Sequence, residues 1–417
     1  MSDAVPAVRV SSGVHSFFLE EGCLLFSEPR QEIHALNTSA AVIWCLLQDG
    51  WDEARIATKL EDSFGVSASD AAGFVRTAFA DWNRHGFLDG SALIAPAEPM
   101  EATEQAVEQY GAKLLQGTPP FAEERSYTLL SSNLRIRFTA AEQAAVVHPV
   151  LAHFENADAC SDAVVDVVQS GDGIAVYLDG EECGSCCGVE ELAPLIKGLV
   201  WSTAVNRHDF FLGIHAGVVG GQSGAMLLPG SPGSGKSSLT AALVQAGFQY
   251  YSDEMALLRD DDFYVLPVPF SLCVKDTGIP VLTSRFPVLE QLPLHQRADG
   301  KRVAYLPPPY GCLPPFGEAK PVRALVFPRY AAHVATCSRV MPKADALQRL
   351  LEQCLVVRKR LDPRGVQALI RWIEPIECIE LVFGTLDEGA AAAASLLDLP
   401  TAHHGVGSSA EGLSNRL

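Results

Sequence analysis

Gly230-Ser231-Pro232-Gly233-Ser234-Gly235-Lys236-Ser237 fits the pattern G-x-x-x-x-G-K-[ST] and stands between an apolar run, 225–228, and the helix-like SSLTAALVQAG. Glycines in such a loop let backbone N–H groups turn inward around phosphate oxygens at a helix N-terminus, where the macrodipole adds about half a positive charge. Gly230, Ser231, Gly233, Ser234, Gly235 and Ser238 would form the cradle for a nucleotide. Lys236 would neutralise its β and γ phosphates, and Ser237 would place a hydroxyl on Mg²⁺.

Two further groups flank this loop. Residues 248–252 have a strand pattern and close on Asp253-Glu254. Acids at the carboxyl end of a strand in a nucleotide-binding α/β sheet lie beside the phosphates, where they can hold a metal or accept a proton. Adjacent carboxylates on a strand point to different sides, so one suits a general base and the other a metal ligand, in either order. Upstream, 213–219 is a candidate strand that enters a hairpin with 225–228. His215 on that strand suits either a satisfied core position or a place beside the transferring group.

These side chains need a scaffold, and the pattern supplies one. From 127 to 386 the chain alternates strand-like runs (134–138, 174–178, 225–228) with helix-like ones (192–205, 239–246), which predicts an α/β architecture. The preceding block differs. Short apolar runs at 15–19, 23–26 and 32–36 predict a three-stranded meander, and Asn37 caps a first helix. A second helix carries Ile56, Leu60 and Phe64 on one face. A third, capped by Ser67 or Ser69 and ended by Gly86, carries Phe74, Val75, Ala78, Phe79 and Trp82. The predicted organisation is a winged-helix-like α+β domain at 8–93, a linker at 94–122 rich in Ala, Pro and Glu, an α/β domain at 123–398, and a flexible tail at 399–417.

Composition narrows the partners. Asp plus Glu outnumber Lys plus Arg by 50 to 31, so the net charge of −19 repels a polyphosphate backbone. The third helix offers only Arg76 and Arg84 against Asp70 and Asp81, which argues against DNA. No run is long and apolar enough to span a membrane, and no signal peptide is visible, so the expected setting is the cytoplasm. Eleven scattered cysteines suit reduced, mostly buried thiols. Cys183-Gly184-Ser185-Cys186-Cys187 has a metal-like spacing but no second ligand pair, so inert thiols on a turn are expected, and His403-His404 offer only adventitious metal binding.

The stretch HAGVV, a short turn and MLLPGSPGSGKSSLTAALVQAGFQYYSDE, 215–254, resembles the HPr kinase/phosphorylase family and its HprK-related relatives. Similar stretches continue through 267–270 and Val274-Lys275, the basic loop 297–302, and 321–329, so the resemblance spans about 125–385. Ala216 and Glu254 replace the family's usual glycine and second aspartate, and the signature used for phosphorolysis is lacking. The resemblance implies a P-loop fold shared with phosphoenolpyruvate carboxykinases, ATP and Mg²⁺ as cofactors, and a homo-oligomer that the added first block could obstruct. It also implies Asp253 as the base for a serine hydroxyl, Lys236 and Ser237 on phosphate and metal with Glu254 beside them, and His215 near the transferring phosphate. Lys275, Arg297, Lys301 and Arg302 are candidates to clamp the γ-phosphate or the acceptor.

Residues 34–88, with Leu36-Asn37-Thr38-Ser39-Ala40-Ala41, Ile43-Trp44 and Gly86-Phe87-Leu88, resemble PqqD and the peptide-recognition elements built on it. That resemblance implies capture of a precursor-peptide leader as an added strand along Glu32, Ile33 and His34, against a groove that uses Phe74 and Ala78. Phe74 and Phe79 also suit the core of such a unit. Together the two halves predict an ATP-dependent kinase acting on a Ser or Thr hydroxyl of the bound precursor peptide. The alternatives are a nucleotide-switched leader chaperone that transfers nothing, and a kinase of a small molecule or carrier protein.

Overall fold

In the computed structural model, residues 8–89, 120–171, 173–309 and 311–398 are described. The expected linker up to residue 119 and the tail, with His403 and His404, lie outside them. The first block is an antiparallel meander of β1 (Val14–Leu19), β2 (Gly22–Ser27) and β3 (Glu32–Leu36), followed by α1 (Thr38–Gln48), α2 (Glu53–Phe64) and α3 (Ala68–Arg84). Asn37, Asp52 and Ser67 cap the three helices, each accepting a backbone N–H with its side-chain oxygen. Trp44, Ile56, Val75, Phe79 and Trp82 form this block's own core. Phe64 and Phe74 are 51% and 54% exposed, so Phe64 leaves the face expected to carry it with Ile56 and Leu60, and of the two places open to Phe74 the core is not the one it takes. Phe64 is the last residue of α2 before the left-handed Gly65, beyond the reach of the core, and Phe74 lies one step off the Val75 stripe.

The second face of the meander is covered as well. Cys23, Leu24, Leu25 and Phe26 are all fully buried, which an uncovered sheet face could not achieve. Cys23 and Leu25 face the block's helices, while Leu24 and Phe26 belong to a cluster with residues of the carboxy-terminal body.

That body starts with a five-stranded sheet in the order β4-β5-β6-β7-β8, made of β4 (Glu123–Leu129), β5 (Ser132–Phe138), α4 (Ala141–Leu151), β6 (Ala163–Ser170), β7 (Gly173–Leu178) and β8 (Glu181–Cys186), and then α5 (Val189–Asn206). Cys183 and Cys186 thus lie on a strand, not a turn. The cysteines are free, with Cys23, Cys273 and Cys378 buried and Cys160, Cys183, Cys187 and Cys337 exposed, so the thiols are not mostly buried.

Next come β9 (Leu212–Ile214), β10 (Ala216–Gly220), β11 (Ala225–Pro229), α6 (Lys236–Gln245), β12 (Gln249–Ser252), β13 (Ala256–Leu258), β14 (Val265–Leu266), β15 (Leu272–Lys275), α7 (Ile279–Leu282), β16 (His295–Gln296) and β17 (Arg302–Leu306). The chain closes with β18 (Val322–Tyr330), β19 (Cys337–Val340), α8 (Lys343–Leu351), β20 (Cys354–Val357), α9 (Pro363–Ile373), β21 (Glu377–Phe383) and α10 (Leu386–Ala394). The central sheet is mixed and six-stranded, in the order β12-β10-β11-β18-β21-β19. β10 and β11 form the expected hairpin, with Ala216 opposite Pro229, and β11, β18 and β21 run parallel. The α/β expectation holds for this centre, but 123–206 builds its own sheet instead of alternating into it.

Candidate functional site

The loop 230–237 runs from the end of β11, where all five residues are buried, into α6, which starts at Lys236. Gly233 and Gly235 have φ of +93° and +92°, which glycine adopts at little cost. A Cβ on Gly235 would also stand 2.8 Å from the Phe383 ring. No side chain caps α6, so its first-turn amides, which have no partner within the helix, face the cavity beyond the loop. Ser234 Oγ is buried with no hydrogen-bond partner. Free amides, an unpartnered hydroxyl and a buried ammonium at Lys236 are a donor set suited to an anion such as phosphate. Burial, with Lys275 nearby, holds Lys236 below its ordinary pKa, against the pull of Asp253 and Glu254.

A cavity of about 530 Å³ opens over this loop. Ser231, Gly233, Ser234, Gly235, Lys236, Ser237 and Ser238 line it, and so do His215, Asp253, Glu254, Lys275, Arg297 and Lys301. Gly230 lies behind the wall, where a Cβ would press on Ser234 Oγ at 2.7 Å. Arg302 is exposed on β17 and is absent from the lining, so of the four clamp candidates it alone is not brought to the site. Lys301 belongs to the turn before β17, whereas Arg302 is the first residue of that strand.

The two acids follow β12 directly, in a bend whose amides at Glu254 and Met255 donate to Ser252 Oγ. Asp253 is 1% exposed. Its Oδ2 accepts the Cys273 N–H at 3.0 Å, and its Oδ1 lies 3.0 Å from the Tyr250 hydroxyl. That hydroxyl has one proton and a second acceptor, Phe270 O, at 2.6 Å. Burial and the adjacent Glu254 charge push the Asp253 pKa up to about 6, against the opposing pull of Lys197.

Lys197 is the residue that sequence reading missed. It projects from α5, is 6% exposed, and holds Glu254 Oε2 at 2.5 Å. Its ammonium also lies 5.4 Å from the Phe270 ring centre and 5.3 Å from that of Tyr305. Although burial disfavours both charges, Lys197 holds the Glu254 carboxyl below its ordinary pKa, and Glu254 and Asp253 raise that of Lys197. A lone lysine inside the apolar run LAPLIKGLVW was the available signal.

His215 sits at the junction of β9 and β10, half-buried, with its backbone N–H donating to Gln353 O at 2.8 Å. Burial and the neighbouring Lys236 and Lys275 hold its pKa low, which favours neutral imidazole. A second cavity of about 910 Å³ meets the first at His215, Glu254 and Arg297, and continues past Lys197, Trp201, Tyr305 and Cys186. Cys186 is no nucleophile there, because burial and nearby Glu191 push its thiol up to about 11. The arrangement joins an anion cradle and a buried carboxylate in one cavity with a second chamber that meets it at His215, Glu254 and Arg297.

On the first block, β3 has no strand beyond it in its sheet among the described residues. Phe74, Ala78, Asp81 and His85 recur at helical spacing along α3 and its cap, and His34 on β3 lies 3.1 Å from Asp81, so the strand and this helix stripe are adjacent. The edge is not wholly free, because Ala35 N–H donates to Gln348 Oε1 of α8 at 2.6 Å. Ile33 and Ala35 lean on the body, and Glu32 is exposed.

Residues 22–88 match the protein family described as "Coenzyme PQQ synthesis protein D (PqqD)". This segment is a PqqD domain. No curated protein matches the chain. Among solved structures, the chain is similar to "Lasso peptide synthetase B1 complexed with the leader peptide", at 23% identity over 20% of this chain and 96% of that one, with a TM-score of 0.19. It is also similar to "TbiB1 in Complex with the TbiA(beta) Leader Peptide", at 19% identity over 20% of this chain and 99% of that one, with a TM-score of 0.20. Among the described residues, no helix is long and apolar enough to cross a membrane.

Proposed function

We propose that this chain is an ATP-dependent phosphotransferase that modifies a Ser or Thr hydroxyl of a precursor peptide whose leader is captured by the PqqD domain. One observation carries the reading. A single cavity is lined by the uncapped start of α6, by buried Lys236 and by Asp253, whose pKa is pushed up to about 6.

In this mechanism the loop 230–237 and Lys236 bind the triphosphate, and Arg297 and Lys275 orient its terminal phosphoryl group. The acceptor peptide lies in the larger chamber with its hydroxyl toward Asp253. Asp253 takes the hydroxyl proton as the oxygen bonds to the γ-phosphorus. The bond to the β,γ-bridging oxygen breaks, leaving ADP, and the α6 amides and Lys236 stabilise the charge released on it. Ser237 and the Glu254 oxygen not held by Lys197 would hold Mg²⁺, which supplies charge neutralisation between the phosphates. The PqqD edge acts through proximity, since a bound leader raises the local concentration of the attached acceptor segment.

The test incubates the purified full chain with ATP, Mg²⁺ and the precursor peptide encoded beside it, and reads the peptide mass. The expected product is heavier by one phosphoryl group. Lys236→Ala and Asp253→Asn should abolish it while leaving the circular dichroism spectrum and melting temperature close to the parent's. ATP binding with no labelled acceptor, peptide or otherwise, would instead favour a nucleotide-switched leader chaperone, and transfer to a small molecule or carrier protein would redirect the substrate assignment.

A further inference from the structure

The PqqD domain carries, beside the edge assigned to leader capture, a cluster that phosphoryl transfer leaves unused. His34 on β3, Asp81 on α3 and His85 at the α3 cap place one ligand atom each within 4.8 Å of one another. His34 Nε2 lies 3.1 Å from Asp81 Oδ2, and His85 Nε2 lies 3.9 Å from Asp81 Oδ1. The second distance is too long for a hydrogen bond. Ligand atoms around a tetrahedral zinc ion, with bonds of about 2.0–2.1 Å, stand roughly 3.3 Å apart; the His34–Asp81 separation matches that edge, and with all three ligand atoms within 4.8 Å a small side-chain shift closes the set around an ion.

The surroundings support the same reading. The other His85 nitrogen, Nδ1, faces Glu32 Oε2 at 3.9 Å, beyond hydrogen-bond length but on the side from which a carboxylate can close on a metal-bound histidine. The His34 and His85 rings lie 4.8 Å apart, and both pack on Phe87 at 5.8 and 6.0 Å, so their orientations are held before any ion arrives. Side-chain exposures of 19%, 32% and 33% for His34, Asp81 and His85 allow water to complete the coordination. The competing contact on Asp81 Oδ1 is Arg84, whose side chain is 72% exposed and easily displaced.

We propose that His34, Asp81 and His85 form a zinc-class metal site, with Glu32 supporting His85 and the fourth position open. The site ties the edge strand to α3 at the rim of the peptide groove, and it does not depend on the phosphotransfer reading.

The test uses Co²⁺ as a spectroscopic stand-in for zinc, on metal-stripped full chain that carries His403→Ala and His404→Ala to remove the only adjacent histidine pair. One equivalent should bind, giving the visible absorption of tetrahedral cobalt with nitrogen and oxygen ligands and no thiolate charge-transfer band. His34→Gln and His85→Gln should each weaken binding at least tenfold, and Glu32→Gln about tenfold. If His34→Gln perturbs the circular dichroism spectrum, His85→Gln at the partly exposed helix cap decides. No binding by the parent, undiminished binding in a folded His85→Gln variant, or a thiolate band would each overturn the site.

Discussion

A base that serves near neutral pH must be ionised there and still attract a proton, and Asp253 meets both demands because burial and Glu254 raise its pKa to about 6 while Lys197 limits the rise. Phosphoryl transfer should therefore fall as pH drops through about 6, as protonation removes the base, with kcat/KM as the measurement. Lys197→Met deletes the charge that stabilises the Asp253 carboxylate, so the acid limb should move to higher pH. The same change strands Glu254 without its partner and should cost about 2 kcal/mol in denaturant titrations, less than for a fully enclosed pair because Glu254 is partly exposed. The loop, Asp253 and Glu254 were legible from type and spacing. The Lys197 pairing was not, because 57 residues separate it from Glu254 and only the packing of α5 under the bend brings them together. Arg302 misled for the opposite reason, since its position in a basic run says nothing about which side of β17 it takes.

Short elements announce themselves where capping and periodicity are local. The meander and three helices of the PqqD domain follow the sequence pattern to within two residues, with Asn37 and Ser67 capping as expected. Phe74 was ambiguous because helical spacing alone cannot separate the rim of a groove from the core beside it. The turn from loop to α6 rests on Gly235. Gly235→Ala places a methyl group against Phe383 at φ of +92°, and should weaken nucleotide binding at least tenfold in calorimetry at a stability cost of about 1–3 kcal/mol. At the other end of the chain, Ile33→Pro removes an N–H from the edge strand. Fluorescence polarisation should then show leader affinity lowered at least tenfold, with nucleotide affinity unchanged.

At the scale of the whole molecule, the decisive feature is the seating of the PqqD sheet on the body. Leu24 and Phe26 are fully buried in one cluster with Leu347, Val366 and Ile370. Full burial of such side chains stabilises by about 1.5–3 kcal/mol each. Gln31 adds a reciprocal pair with the Leu361 backbone, at 2.9 and 2.7 Å. No periodicity reveals this contact, although the unbroken apolar run of β2 is its trace in the sequence. Trp44 and Trp82 report on the PqqD core and Trp372 on the body, so their fluorescence changes should coincide in a single denaturant transition, and Phe26→Ala should shift both together by about 3–5 kcal/mol. The same seating limits transplantation of the recognition module. Grafted elsewhere without α8 and α9, it would present a greasy underside of Phe17, Leu24 and Phe26 to solvent, and a chimera would have to import that pair of helices or repaint those three positions with polar residues to stay in solution.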